Sequence, residues 1–212
     1  MLPLLLPAGD LTLLAVGAHP DDIEIGCGGT LLRLAAARDL VAHVAVLTGT
    51  PERQAEAQAA ARRFLAGVEL HLHLSDLPDG RLPAHWESVK QRLEELARTV
   101  RPDLVLAPRR EDAHQDHRLL AELVPTVWRD SLVLHYEIPK WDGDLRPVTH
   151  YVPLDDAVAR RKVDLLDECY PSQRGRDWWD EEMFLGLMRL RGMECRRRYA
   201  EGFVVVKAAV EV

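Results

Sequence analysis

The chain has 212 residues, 47% of them hydrophobic, enough for one ordinary α/β domain with a sizeable core. A formal net charge of -7 argues against a general nucleic-acid binder, which carries a basic stripe. No stretch approaches ~18 uncharged apolar residues, so no membrane span is expected.

Cys27, Cys169 and Cys195 are few, odd in number and widely spaced, with no C-x-x-C pair. That usage fits a reducing cytoplasm and excludes a cysteine zinc site. Met1–Pro7 is apolar but has no basic region, and Asp10 cuts it short, so no signal peptide is expected.

Apolar strands alternate with helical segments, which predicts βαβ units. The first strand runs from Leu11 to Ala18 and the first helix from about Gly28 to Arg38. A second strand spans Val41–Leu47. Thr50 then caps a helix that opens on Pro51 and covers Glu52–Leu65. Glu69–Leu74 alternates, with Leu70, Leu72 and Leu74 on one side and His71 and His73 on the other, as a strand near an edge does. Asp79-Gly80 is a turn signal.

Trp86, Val89, Leu93, Leu96 and Val100 form one helical stripe, ended at Arg101-Pro102. Strands are expected at Leu104–Ala107 and Leu132–Ile138, around a helix from His117 to about Trp128 bent or ended by Pro125. Thr149–Val152 reads as a short strand. Asp155 caps a helix to Cys169 and Asp180 one to about Arg198, where Arg196-Arg197-Arg198 suits a helix end. Phe203–Lys207 closes as a strand. The fold class is α/β: a Rossmann-like, doubly wound, mostly parallel sheet with helices on both faces, in one domain over residues 1–212.

Two polar clusters stand out. Ala18-His19-Pro20-Asp21-Asp22 follows the first strand, and Asp112-Ala113-His114-Gln115-Asp116-His117 follows the fourth. In a sheet ordered 3-2-1-4-5 those strands are neighbours. Their following helices lie on opposite faces, so a crevice opens at their C-terminal ends. His19, Asp22 and one histidine of the second loop can then bind one ion. Two imidazoles and a carboxylate with a position left for water make a catalytic zinc pattern, and the same set can hold ferrous iron.

The run from Ala18 to Thr30 and the D-x-H-x-D-H pattern at Asp112–His117 resemble the LmbE/PIG-L family of zinc-dependent N-deacetylases. The resemblance implies His19, Asp22 and His117 as zinc ligands and Asp21 as general base. It implies His114 as transition-state stabiliser, held by Asp116. Arg53 and Glu56, Ser172-Gln173 and Tyr199–Phe203 resemble further family motifs. Asp-Asp-Ile-Glu-Ile-Gly and Tyr-Ala-Glu-Gly-Phe look closest to the bacillithiol-biosynthesis deacetylases, which act on N-acetylglucosaminyl malate. One departure is the Gly-Glu-rich loop that the family carries before the position of Arg53, shortened here to Gly49–Glu52. The implied partner is a small amino-sugar conjugate, with no nucleic acid or membrane, and the family often forms homo-oligomers. Arg53, Arg109 and Arg110 are candidates for meeting a substrate carboxylate.

Simpler readings stand beside these. Taken alone, Asp21 and Asp22 are helix caps. His71 and His73 are surface histidines with no carboxylate nearby. Cys27 is a small buried residue and not a nucleophile. Trp178-Trp179 is a sugar platform or packing for the core or an oligomer. Gly26–Gly29 lacks the G-x-G-x-x-G spacing for a dinucleotide. Other acetamido sugars or thiol conjugates are alternative substrates. A nucleotide-binding redox domain and a zinc protein without catalysis are the readings from other classes.

Overall fold

The strand Leu11–Gly17 (β1) sends Leu13 and Ala15 to one side and Leu14 and Val16 to the other, all fully buried. Covered on both faces, it needs no polar alternation, which is why it reads as one apolar run. The computed structural model describes residues 1–210. The remaining strands are β2 (Leu40–Thr48), β3 (Glu69–Leu77), β4 (Leu104–Pro108), β5 (Leu132–Tyr136), β6 (His150–Leu154) and β7 (Tyr199–Val205). The helices are α1 (Asp22–Ala37), α2 (Pro51–Phe64), α3 (Trp86–Ala97), α4 (Gln115–Val127), α5 (Asp156–Cys169) and α6 (Glu181–Glu194). Among the described residues no helix is long and apolar enough to cross a membrane.

The strands form one sheet in the order β3-β2-β1-β4-β5-β7-β6. β1 to β5 are parallel, and β7 runs antiparallel to both β5 and β6. Residues of α1, α2, α5 and α6 pack into the core on one face. Residues of α3 and α4 pack into the core on the other. The helices after β1 and β4 therefore lie on opposite faces, and the crevice between these strands opens as the topology predicts.

The predicted caps form. Thr50, Asp155 and Asp180 accept the backbone N–H of Arg53, Val158 and Met183 at 3.3, 2.8 and 2.7 Å. α4 runs to Val127, close to the expected end at Trp128, with Pro125 inside it. Two boundaries differ. α6 stops at Glu194, and β7 opens four residues before the apolar run, at Tyr199. A charged Glu201 hides that strand from a hydrophobicity reading, yet it is buried between two neighbouring strands.

α1 also begins six residues earlier than expected, at Asp22, and is broken at Cys27 (φ -145°, ψ 21°). At the break, Gly29 N–H donates to Glu201 Oε1 at 2.8 Å and Thr30 N–H to Glu201 Oε2 at 2.6 Å. Lys162 Nζ donates to Ile25 O at 2.6 Å and to Glu201 Oε1 at 2.7 Å. A buried ion pair thus serves backbone groups on both sides of the break, Ile25 O and the N–H groups of Gly29 and Thr30. The glycines here serve close packing. A Cβ on Gly26 would lie 2.2 Å from Tyr136 Cδ2, and one on Gly28 2.6 Å from Phe64 Cε1.

Gly26→Ala is expected to cost about 1–3 kcal/mol, because Tyr136 must yield to a methyl group. Gly186→Ala, in α6 with nothing within 4 Å, is expected to be neutral or stabilising. Urea-denaturation midpoints of the two variants check the contrast.

Candidate active site

The β1 end turns sharply at Asp21, a non-glycine residue with φ 106°. Such a conformation costs on the order of 1–3 kcal/mol and persists only where surroundings hold it. Here Arg53 from α2 grips the turn. It donates to Asp21 Oδ2 at 2.6 Å and to Pro20 O, and also to Glu56 and to Ser172 Oγ. Thr48, at the end of β2, ties the same loop down through Ala18 O at 2.8 Å.

His19, Asp22 and His117 come together. His19 Nδ1 lies 3.1 Å from His117 Nε2, His117 Nε2 lies 3.2 Å from Asp22 Oδ2, and His19 Nδ1 lies 3.4 Å from Asp22 Oδ2. Two N–H bonds from the backbone of Ala18 and His19, at 3.0 and 2.8 Å, fix the Asp22 carboxylate. A tetrahedral ion with bonds of 2.0–2.1 Å spaces its ligands by about 3.3 Å. The three donor atoms therefore fit one small divalent ion without moving far.

Outer contacts aim these ligands. His117 Nδ1 lies 3.0 Å from Asp112 Oδ1, and His19 Nε2 lies 3.2 Å from Asp116 Oδ2 and 3.0 Å from Asp79 Oδ1. A carboxylate on the far nitrogen of a liganding histidine sets its tautomer and raises its basicity. Asp79 has the local sequence of a turn residue, yet its carboxylate faces His19. Its neighbours Gly80 and Leu82 donate backbone N–H groups to the Asp116 carboxylate at 2.8 and 3.0 Å. The loop after β3 is therefore part of the site, through contacts that no local pattern announces.

The electrostatics ask for a cation. Burial works against a charged His19, but Asp22, Asp116 and Asp79 outweigh it and hold its pKa up at about 12. His117 is raised to about 9 against burial, by Asp22 and Asp112. Burial would raise the Asp22 pKa, but His117 and His19 pull it well below the usual range. Protons on these rings fill the place of positive charge that a divalent ion would take. Zinc and ferrous iron both suit two imidazoles and a carboxylate.

Asp21 is pushed up to about 7 by burial, against the pull of Arg53 and with a further push from Asp22. Burial, and then the charges of His117 and His19, lower the pKa of His114. Its Nδ1 accepts the Asp116 N–H at 3.2 Å, which leaves the ring proton on Nε2. The resemblance implied that the Asp116 side chain holds His114. The contact is made by the Asp116 backbone instead, because its carboxylate is taken by Gly80, Leu82 and His19.

The arginines divide. Arg53 is occupied by Asp21 and Glu56. Arg109 is 1% exposed, donates to Asp144 O and lies 3.6 Å from Glu137, so it is not placed to meet a substrate carboxylate. Its position at the end of β4, where alternate residues turn inward, is the physical reason. Arg110 is exposed on the second loop. Trp179 packs in the core, while Trp178 sits edge-on to the exposed Trp141 at 5.8 Å between ring centres. Cys27 is buried with its Sγ on Ile23 O at 3.1 Å, and burial pushes its thiol pKa well up, which rules against a nucleophile.

Comparison with known proteins places this geometry. The model of the PIG-L family, described as GlcNAc-PI de-N-acetylase, matches residues 14–128, the span that holds both clusters. The chain belongs to the PIG-L family. An Escherichia coli K12 relative named uncharacterized deacetylase YaiS is 31% identical over 139 residues, covering 60% of this chain and 74% of its own. Among solved structures, the N,N'-diacetylchitobiose deacetylase of Pyrococcus horikoshii is similar with a TM-score of 0.71 at 22% identity, over 92% of this chain and 83% of its own. GalB, the 4-carboxy-2-hydroxymuconate hydratase of Pseudomonas putida KT2440, reaches a TM-score of 0.77 at 20% identity, over 95% and 98%. At such identities these two structures share the fold of this PIG-L member and do not decide its reaction.

Asp112→Asn is expected to weaken divalent-metal affinity roughly 10–100-fold by loosening His117. Competition with a chromogenic chelator checks this, with circular dichroism to show an intact fold.

Proposed function

We propose that this chain removes the acetyl group from an N-acetylglucosamine conjugate, using a divalent metal held by His19, Asp22 and His117. The observation that carries the reading is the triangle of donor atoms, 3.1–3.4 Å on a side, with Asp21 and His114 beside it. The family description and the name of the YaiS relative support deacetylation, and the chitobiose deacetylase supports an acetamido sugar.

When bound, such an ion polarises an acyl oxygen and lowers the pKa of a water from 15.7 to about 7. Arg53 holds Oδ2 of Asp21 and leaves Oδ1 to take a proton from the attacking water. The same carboxyl group then passes a proton to the departing amine. His114 donates its Nε2–H to the acyl oxygen as negative charge develops there. Being neutral, it gives up no proton before that charge appears. Arg53 positions Asp21 and holds its pKa below the value that burial alone would set.

The narrower substrate is N-acetylglucosaminyl malate, with zinc as the metal. The motifs around Asp21–Gly26 and Tyr199–Phe203 support it, and Arg110 is the exposed arginine available to a malate carboxylate. A second reading draws on the likeness to a hydratase: the same base and cation site would add water to an unsaturated acid.

Amine release from N-acetylglucosaminyl malate, with N-acetylglucosamine and a metal-stripped control alongside, tests the reading. Metal-dependent release from the conjugate supports it. Release from the simple sugar alone keeps the reaction and discards malate. No release from either by metal-loaded protein sinks the deacetylase reading. Asp21→Asn is expected to lower kcat by about 10²–10⁴-fold, and His114→Ala by about 10²–10³-fold, with metal retained in both. Arg53→Gln removes a group that lowers the Asp21 pKa, so the acid limb of kcat/KM is expected to move to higher pH. An unmoved or downward-shifted limb would count against Asp21 as the base.

A further inference from the structure

Away from the reaction site, three histidines meet on the sheet. The parallel register sets His43 of β2 opposite His71 of β3, and Ala45 opposite His73. Paired residues share a face, and Ala45 belongs to the core under α3, so all three imidazoles emerge on that side. The His43 ring stacks on His71 and His73, with centres 4.7 and 5.4 Å apart. His43 Nδ1 lies 3.1 Å from His73 Nε2. His71 Nε2 lies 3.0 Å from Glu69 Oε1. A groove of about 350 Å³ opens beside His73, bounded by Ser75, Arg92, Glu95 and Thr99.

We propose that His43 and His73 form a second divalent-cation site, with His71 as its third imidazole. Its chemistry suits the borderline cations that favour imidazole, such as Zn2+, Ni2+ and Cu2+. Two nitrogens on one tetrahedral ion sit about 3.3 Å apart, close to the spacing already present. Burial, and then the neighbouring rings, lower the pKa of His43 to about 4, and His73 is lowered for the same reasons. Both rings are therefore neutral at pH 7. Each can keep its one proton on the outer nitrogen and turn a lone pair inward, so binding needs no deprotonation. Only one N–H···N hydrogen bond is given up. The Glu69 carboxylate on His71 has the form of the outer contact that orients metal-bound histidines. His71 is 45% exposed, with room to turn towards the pair. Arg92 lies 3.9 Å from Glu95, which offsets its charge on the groove wall.

This site is separate from the first. His43 pairs with Leu14 in the body of β1, whereas His19 lies in the turn beyond that strand's end at Gly17. The inference does not rest on the deacetylase reading.

Equilibrium dialysis of the full chain against zinc tests it. His73→Ala and His43→Asn are each expected to bind one equivalent fewer than the wild type. His117→Ala is expected to retain this equivalent. Added Ni2+ is expected to broaden the ring signals of His43, His71 and His73 in His117→Ala, and not those of the two remaining rings in His73→Ala. Amine release by His73→Ala is expected to match the wild type. Equal zinc stoichiometry in the wild type and His73→Ala, or sharp ring signals in His117→Ala under Ni2+, would overturn the proposal and leave a hydrogen-bonded stack only.

Discussion

Lys162 and Glu201 stand as a buried ion pair at the break in α1. Around the break at Cys27, Ile25 O and the N–H groups of Gly29 and Thr30 are buried and need partners. Orphaned groups of that kind cost about 1–3 kcal/mol each. The ion pair accepts and donates to all three, and so lets the helix bend. The bend lets the first turn carry Asp22 into the crevice while the second half packs on Phe64 and Leu154. Removing either charge would leave the other buried and unpaired, which is why the pair matters beyond its own energy.

Much of this was legible in the residues, where the cause is local. Caps at Thr50, Asp155 and Asp180 depend on a side chain and an N–H three residues on. Both polar clusters could be brought together because parallel βαβ topology leaves few places for them. What escaped depends on distant partners. Glu201 reads as a strand breaker until Lys162 and the broken helix are beside it. Asp79 reads as a turn until His19 faces it. Arg109 reads as a substrate clamp until the end of β4 turns it inward. His71 was read as lacking a carboxylate, yet Glu69 lies two residues away on the same face, and His43 joins from the next strand.

The His/Asp cluster at the crevice sits on a fold that serves more than one reaction. Its side chains come from the turn after β1 and the first turns of α1 and α4; aspartates orient the two histidines, and backbone N–H groups fix Asp22. The same fold is found in a deacetylase and in a hydratase. What a given member does is then set by the base, the donor and the groups that tune them, not by the layers beneath.

The break in α1 also orders events in time. Glu201 lies 172 residues after Gly29, and β7, which carries it, is inserted between strands made earlier. Synthesis runs from the N-terminus at about 5–20 residues per second, so the clusters at Asp22 and His117 emerge well before the strand that completes their support. A nascent chain thus holds both polar clusters of the crevice before it holds Glu201. The last strand to be made therefore brings the carboxylate that the N–H groups of Gly29 and Thr30 meet in the finished sheet.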